Sequence, residues 1–575
     1  MITLSAEQKH IIEKPLMPLC IIACAGSGKT TTAIRRVGKM ATDLAGTRGR
    51  VALLSFSNIA VDTFRKEYLA QVRLGDLAAS AKVDIDTMDA FIASNILRPH
   101  ANRTMKASRA AYLVVGNEPF LEGYRFKAGK FPQPVAELNV AIDAGISTFF
   151  TRYQNSTTVV DTGKAVALVE RLGKLGAYTH GLGRYWTHRS LVEQPAILRA
   201  LVRRYPHVVV DEAQDIGNEH QAILELMIAA GCQVSLIGDP NQGIYEFAGA
   251  DGGFLRSYAK RRGVVELGLT TNYRSVPSIL GVANSLATRT DFCHRTAPGE
   301  LSGPYYITYT KAQASQLLDT FRNALVRAKI PEAEAAIVCR ARKLAGAWRG
   351  DREVPGRGAT GKFAAAAVSR DCSFDYHRAF EDVVEGFQRL LTPKAGKQLA
   401  DMLRSDNALQ RKEMLRILWN FTREVATGLP LATLVANATW HKALTTNVRV
   451  VLDKFLSDFD LESENTIGQR LSKAGLPSES LAEDRDLASE IGPAIRVDTV
   501  HQVKGESIGG VMYVAEKDHV RELLNGTGSE VGRIGYVAVT RSRNLFLLAV
   551  PASSVSDFSV ALSHRGFRNL AKPGA

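Results

Sequence analysis

Four short apolar runs along the chain each break off into a polar cluster: LCIIACAGSGKT (19–30), VALLSFSN (51–58), HVVVDEAQD (207–215) and CQVSLIGDPNQ (232–242). A continuous apolar run of this length is the pattern of a strand buried on both faces, and an open parallel sheet gathers its functional groups at the carboxyl ends of such strands. All four are therefore expected in one α/β core. AAIVCR (335–340), GGVMYVA (509–515) and NLFLLAV (544–550) repeat the pattern after LTTNYRSVPS (269–278) and predict a second α/β core. Each core is interrupted. From about Ile96 to Leu201 the chain is polar, basic and helical in pattern, without such strand ends. From about 342 to 490 a Gly/Arg-rich loop gives way to a helical pattern, with Phe380, Val383, Val384, Phe387 and Leu391 spaced as a core-facing stripe. The expected division is 1–96 with 199–268, an insertion 97–198, then 269–345 with 491–575 around an insertion 346–490.

The polar ends carry chemistry. In ACAGSGKT, Gly26 and Gly28 let backbone amides approach a phosphate chain, Lys29 reaches the terminal phosphates, and the Thr30 hydroxyl suits Mg²⁺. Ala23 stands where the general G-x-x-x-x-G-K-[ST] pattern has its first glycine. A second partial match, GRGATGKF (356–363), follows REVP instead of a strand and has Phe363 at the hydroxyl position, so it reads as a flexible basic loop. VVVDEAQD delivers Asp211 to Mg²⁺ and Glu212 to an attacking water. IGDPNQGIYEF adds Gln242, a neutral side chain able to sense a γ-phosphate, close to the aromatic residues Tyr245 and Phe247. Arg274 in NYRS and Arg541 in YVAVTRSR offer the guanidiniums that phosphoryl transfer calls for, against the alternative of ordinary surface ion pairing. If both reach a nucleotide on the first core, ATP closes a cleft between two domains.

Composition narrows the partners more than the fold. At 575 residues the chain is long enough for roughly three or four domains. Its 72 Lys and Arg outnumber 58 Asp and Glu, and the net charge of +14 favours a polyanionic partner. The six cysteines, at 20, 24, 232, 293, 339 and 372, form no C-x-x-C pair, which argues against zinc and iron–sulfur clusters and for a reducing compartment. MITLSAEQKHIIEK lacks the apolar core of a signal peptide, and no run is long enough to span a bilayer. A cytoplasmic protein without a membrane partner is expected.

Taken in order, these motifs resemble the superfamily 1A helicases of the UvrD/Rep type. LSAEQ resembles the family's adenine-reading glutamine motif, ACAGSGKT its Walker A, LLSFSNIAVDTF motif Ia, DTMDAF motif Ib, VVVDEAQD motif II and GDPNQGIYEFAGA motif III. NYRSVPSILGVAN, VDTVHQVKGES and RIGYVAVTRSR resemble motifs IV, V and VI. The resemblance implies an α/β fold of two tandem RecA-like P-loop NTPase cores, 1A and 2A, each interrupted by a mainly helical insertion, 1B and 2B. It implies ATP and Mg²⁺ as cofactors, with Ala23, Cys24, Ala25, Gly26, Ser27, Gly28, Lys29, Thr30 and Thr31 around the phosphates and Gln8 and Tyr273 at the adenine. Lys29, Asp211, Glu212, Gln242, Arg274 and Arg541 would be catalytic, and Thr30 and Asp211 would hold the metal. Phe56, Asn58, Tyr245, Phe247 and His501 fall at positions implied to contact single-stranded DNA, where stacking without base preference suits translocation.

Three departures stand out. Thr31 replaces an arginine common in the family, Asp89 replaces the motif Ib histidine, and KGES replaces KGLEF, leaving the ribose-binding acid open between Glu506 and its neighbours. KGE followed by a hydroxyl residue resembles the UvrD-like subgroup beside OLD-type nucleases, as in Gabija-type phage defence, and implies an OLD-type nuclease partner. The 2B insertion is shorter than in well-known repair helicases, and only a short tail follows Arg541, so no fused nuclease domain is expected. The leading expectation is an ATP-dependent 3′–5′ translocase and helicase on single-stranded and tailed duplex DNA. The alternative is an ATP-gated DNA-sensing subunit of a nuclease complex; a small-molecule kinase explains neither the distant arginines nor the second core.

Overall fold

The computed structural model describes residues 4–75, 82–116, 118–128, 131–143, 145–153, 156–246, 249–310, 314–341, 344–345, 348, 356–372, 375–404, 408–482 and 495–571. The chain forms two compact units, Met1–Arg342 with Ile495–Ala575, and Lys343–Ala494. Each folds around its own interior.

The first unit holds two six-stranded sheets. One contains β1 (Leu19–Ala23), β2 (Val51–Ser55), β3 (Val83–Thr87), β4 (His207–Val210), β5 (Gln233–Gly238) and β6 (Val265–Leu269). They run β6-β1-β5-β4-β2-β3, all parallel. Alternate residues feed opposite faces: Cys20, Ala52, Leu54, Val208, Val210 and Leu236 enter one core, while Leu19, Ile21, Val51, Leu53, Val209 and Ile237 enter the other. A sheet covered on both sides needs apolar residues at every position, which is why these strands read as continuous runs. In register, Cys20 lies beside Leu236, Val210 beside Leu236 and Leu54 beside Val210. The four polar clusters therefore emerge along one edge of the sheet.

The second sheet contains β7 (Gly303–Tyr309), β8 (Ala335–Cys339), β9 (Arg496–Thr499), β10 (Ile508–Val514), β11 (Ser542–Pro551) and β12 (Arg568–Asn569). Its order is β9-β8-β10-β11-β7-β12, again all parallel. Every residue of β10 is buried.

The segment between residues 97 and 198 is not mainly helical. Helices Arg98–Thr104, Thr162–Gly173 and His180–Glu193 flank a hairpin of Arg125–Ala128 with Phe131–Pro134 and an antiparallel meander of Asn139–Asp143, Ile146–Tyr153 and Ser156–Val159. The reason is a period of two: Val140 and Ile142 are buried while Asn139 and Asp143 are exposed, and Gly145 turns the chain at φ +81°.

The second unit is helical among its described residues, and Phe363, Phe387, Phe421 and Phe455 meet in its core. GRGATGKF is not a flexible loop there. Helix Gly358–Asp371 runs through it, with Phe363 fully buried and Lys362 paired with Asp382 and Glu385. Across the described residues, no helix is long and apolar enough to cross a membrane.

One buried ion pair organises this unit. Arg370 donates to Asp371 and to the carbonyls of Thr422 (3.1 Å), Leu429 (2.6 Å) and Pro430 (3.2 Å), while Asp371 also accepts from the amide of Ala432 (2.7 Å). Asp371→Ala leaves the guanidinium without its anion and should cost about 3–5 kcal/mol. Urea unfolding, with limited proteolysis localising the loosened segment to 343–494, checks this.

Candidate active site

Helix Lys29–Asp43 begins at Gly28, so the loop after β1 turns its amides toward one point. Gly26 (φ +70°) and Gly28 (φ +79°) hold left-handed backbone, and both are packed closely. A Cβ on Gly26 would meet the Arg274 Cβ at 2.4 Å, and one on Gly28 would meet Gln8 Nε2 at 2.5 Å. The loop bounds a cavity of about 460 Å³ lined by Ala25 to Thr31 with Gln8, Glu212, Gln242, Tyr273, Arg274, Gly505, Ser507 and Arg541. Ala23 and Cys24 are buried outside that lining. Burial, then the charge of Asp291, pushes the Cys24 thiol up to about 12, which suits packing and not reactivity.

Gln8 caps its own helix. Its Oε1 accepts from the Ser5 amide (2.9 Å) and its Nε2 donates to the Ser27 carbonyl (3.1 Å), which leaves one lone pair and one N–H for an adenine edge.

The strap 270–275 closes the cavity from outside the phosphate loop. The Tyr273 amide donates to the Gly26 carbonyl (2.9 Å) and Asn272 Nδ2 to that of Ala25 (2.6 Å). Asn272 Oδ1 accepts from the amides of Arg274 (2.9 Å) and Ser275 (2.8 Å), and Glu7 accepts from the Thr270 amide (3.0 Å). Arg541, at the end of helix Glu530–Arg541, donates to Gln242 Oε1 (2.9 Å), whose Nε2 donates to Asp239 (2.7 Å). Arg274 donates to the Thr540 carbonyl (3.0 Å). Burial, then the neighbouring charge of Arg541, lowers Arg274 to about 9, and burial lowers Arg541 as well. A polyanion in the cavity would relieve both guanidiniums.

Asp211 and Glu212 end β4. The Asp211 amide is held by the Leu54 carbonyl (2.8 Å), and its buried Oδ1 has no hydrogen-bond partner. Glu212 sits at φ +52°, with Oε1 3.7 Å from Lys29 Nζ. Burial, then the charge of Glu212, raises Asp211; burial also works to raise Glu212, but Lys29 and Lys504 hold it low. An orphaned carboxylate oxygen below a phosphate loop fits a divalent cation, so Asp211, with the cavity-lining Thr30, suits Mg²⁺. Glu506 is engaged by Arg496 (Nη1, 3.3 Å), and the cavity wall is made by its neighbours Gly505 and Ser507.

The residues implied for DNA fall in two places. Tyr245 and His501 face each other with ring centroids 5.7 Å apart, and His501 Nε2 lies 3.0 Å from the Ile244 carbonyl. Phe56 and Asn58 line a separate cavity of about 340 Å³, where Phe56 meets the His220 ring edge-on at 5.5 Å. Phe247 lies outside the described residues. Sequence reasoning missed Asn272 and Lys504. Lys504 Nζ contacts both oxygens of Asp215 (2.7 and 2.5 Å) and stands 4.7 Å over the Tyr245 ring, joining the loop after β4 to the one after β9. Their signal was position alone, as the first residues of NYRS and KGES.

Residues 4–118 and 146–262 match the UvrD/REP helicase N-terminal domain. These residues resemble the UvrD/REP helicases. Among similar proteins, ATP-dependent DNA helicase UvrD2 of Mycobacterium tuberculosis is 23% identical over 306 residues, covering 49% of this chain and 43% of the relative. ATP-dependent DNA helicase UvrD1 of the same organism is 26% identical over 318 residues, covering 50% and 39%. DNA helicase II of Escherichia coli is 23% identical over 298 residues, covering 49% and 40%. Each alignment thus spans less than half the relative's length.

Burial, partly offset by Lys504, leaves Asp215 raised to about 6. Lys504→Met should therefore cost about 3–5 kcal/mol, because it strands a buried carboxylate. Adding Asp215→Asn should recover most of the loss, as measured by chemical denaturation of the single and double variants.

Proposed function

We propose that the chain is a Mg²⁺-dependent ATPase that moves 3′ to 5′ along single-stranded DNA in the cytoplasm and separates duplex strands. It would use two RecA-like cores, 1A (1–96 and 199–268) and 2A (269–345 and 491–575), with insertions at 97–198 and 346–490. The observation that carries this reading is the contact of Arg541, from the second sheet's layer, with Gln242 of the first, beside the phosphate loop. A small-molecule kinase needs no such reach. The DNA helicases to which the chain is similar support DNA as the polymer, and the net charge of +14 supports a polyanion.

In this mechanism the loop amides and Lys29 bind the β- and γ-phosphates, and Tyr273 and Gln8 flank the base. Glu212, kept ionised by Lys29 and Lys504, orients the attacking water. Mg²⁺, held by Thr30 and Asp211, would neutralise phosphate charge and polarise the reacting phosphoryl group. Arg274 and Arg541 stabilise charge on the γ-oxygens, and Gln242 registers their position through its bond to Arg541. Hydrolysis converts the γ-phosphoryl group to inorganic phosphate, and its departure would remove the anion that both arginines share. The loop carrying Gln242 and Tyr245 would then shift against the loop carrying His501 and Lys504, which would move the DNA.

The test is ATP turnover with and without single-stranded DNA, run beside unwinding of a 3′-tailed duplex. Lys29→Ala should lower turnover at least about 100-fold, or about 3 kcal/mol of barrier. Arg541→Ala should lower it by about 10³ while nucleotide binding persists. Turnover indifferent to DNA would sink the motor. Strong stimulation without unwinding would replace it with a DNA-sensing subunit that gates a nuclease.

A further inference from the structure

The motif Ib departure, Asp89, is the hub of a four-residue network that no part of the ATP chemistry uses. Its carboxylate meets His220 Nε2 at 2.8 Å, His180 Nδ1 at 3.0 Å, and Arg184 through both Nε (3.0 Å) and Nη2 (2.9 Å). Burial works to raise Asp89, but the hydrogen bonds from His180, His220 and Arg184 hold it far below the usual carboxylate range. The hub stays an anion at any working pH.

What matters is where the arms come from. Asp89 opens the helix after β3, while His180 and Arg184 belong to helix His180–Glu193 of the first insertion. His220 lies on helix Asn218–Ala229, eight residues beyond Glu212 along the chain. That ring is buried and packs edge-on against Phe56, the residue after β2. Since β4, β2 and β3 are adjacent in the sheet, three neighbouring strand ends and the insertion converge on one carboxylate. A shift of Glu212 would have a path through a short turn and the start of helix Asn218–Ala229 to His220, which contacts Phe56 and, through Asp89, the insertion. Removing the carboxylate unlinks the parts without touching the phosphate loop.

We propose that Asp89 is a positioning residue that couples the ATP site to DNA held near Phe56, by locking His220 and the first insertion to the strand ends. This rests on the DNA-dependent ATPase reading. Asp89→Asn should leave turnover without DNA unchanged. Its affinity for an oligo-dT probe should be kept or tightened, because a negative charge has left the face, while maximal DNA-stimulated turnover falls about fivefold. Asp89→Glu should restore part of the stimulation. A simple loss of fold lowers all of these together.

The overturning results are equally specific. Unchanged maximal stimulation defeats the proposal, and so does loss of oligo-dT binding at an unchanged melting temperature, which would make Asp89 part of the grip. If Asp89→Asn melts early, His180→Ala decides the matter, because it removes one arm from a side chain 60% exposed. A fall in maximal stimulation then supports the coupling, and no fall overturns it. Wild-type turnover indifferent to oligo-dT would defeat the underlying ATPase reading instead.

Discussion

The strap 270–275 against the phosphate loop is the contact on which the rest depends. Its bonds run from backbone to backbone at Tyr273 and from one side chain, Asn272, to the loop carbonyl of Ala25. Gly26 makes the approach possible, because any Cβ there would collide with Arg274. The strap fixes Arg274 over the loop, Arg274 reaches the Thr540 carbonyl, and Thr540 adjoins Arg541 and its bond to Gln242. A single close approach thus orders the boundary between the two sheets. A buried asparagine with both amide ends satisfied suits this task, since leaving either unpaired would be costly.

Much of the parallel architecture was legible because buried strands must be apolar throughout. β1, β2, β4 and β5 could be read as runs that stop at chemistry, and β8, β10 and β11 as runs of the same kind. β3, VDIDT, escaped that reading because it lies at an edge, where Asp84 answers Arg50 and Asp86 stays near the surface. The meander at 139–159 escaped it for the opposite reason. Its alternation is short, and the lengthy helices beside it dominate the local pattern.

The site was legible in identity more than in arrangement. Lys29, Glu212, Gln242, Arg274 and Arg541 were all named by residue type and order, and the fold brings them to one cavity. What order could not convey was partnership. Nothing in KGES announces that its lysine neutralises Asp215, and nothing in DTMDAF announces that its second aspartate gathers two histidines and an arginine from elsewhere in the fold. Such pairings join residues about 90 to 290 positions apart and depend on which strands lie side by side.

Two buried arginines, Arg274 and Arg541, meet at the boundary between the sheets. Burial disfavours the charge on both guanidiniums, the charge of Arg541 adds to that penalty at Arg274, and neither sheds its proton at neutral pH. The balance between holding and parting is then set by the negative charge lying between them. Under the proposed ATPase cycle, a triphosphate would hold the two arginines together and a diphosphate would hold them less firmly. In that cycle the number of phosphate charges would set how far the sheets part, a scale built into the protein before any polymer is bound.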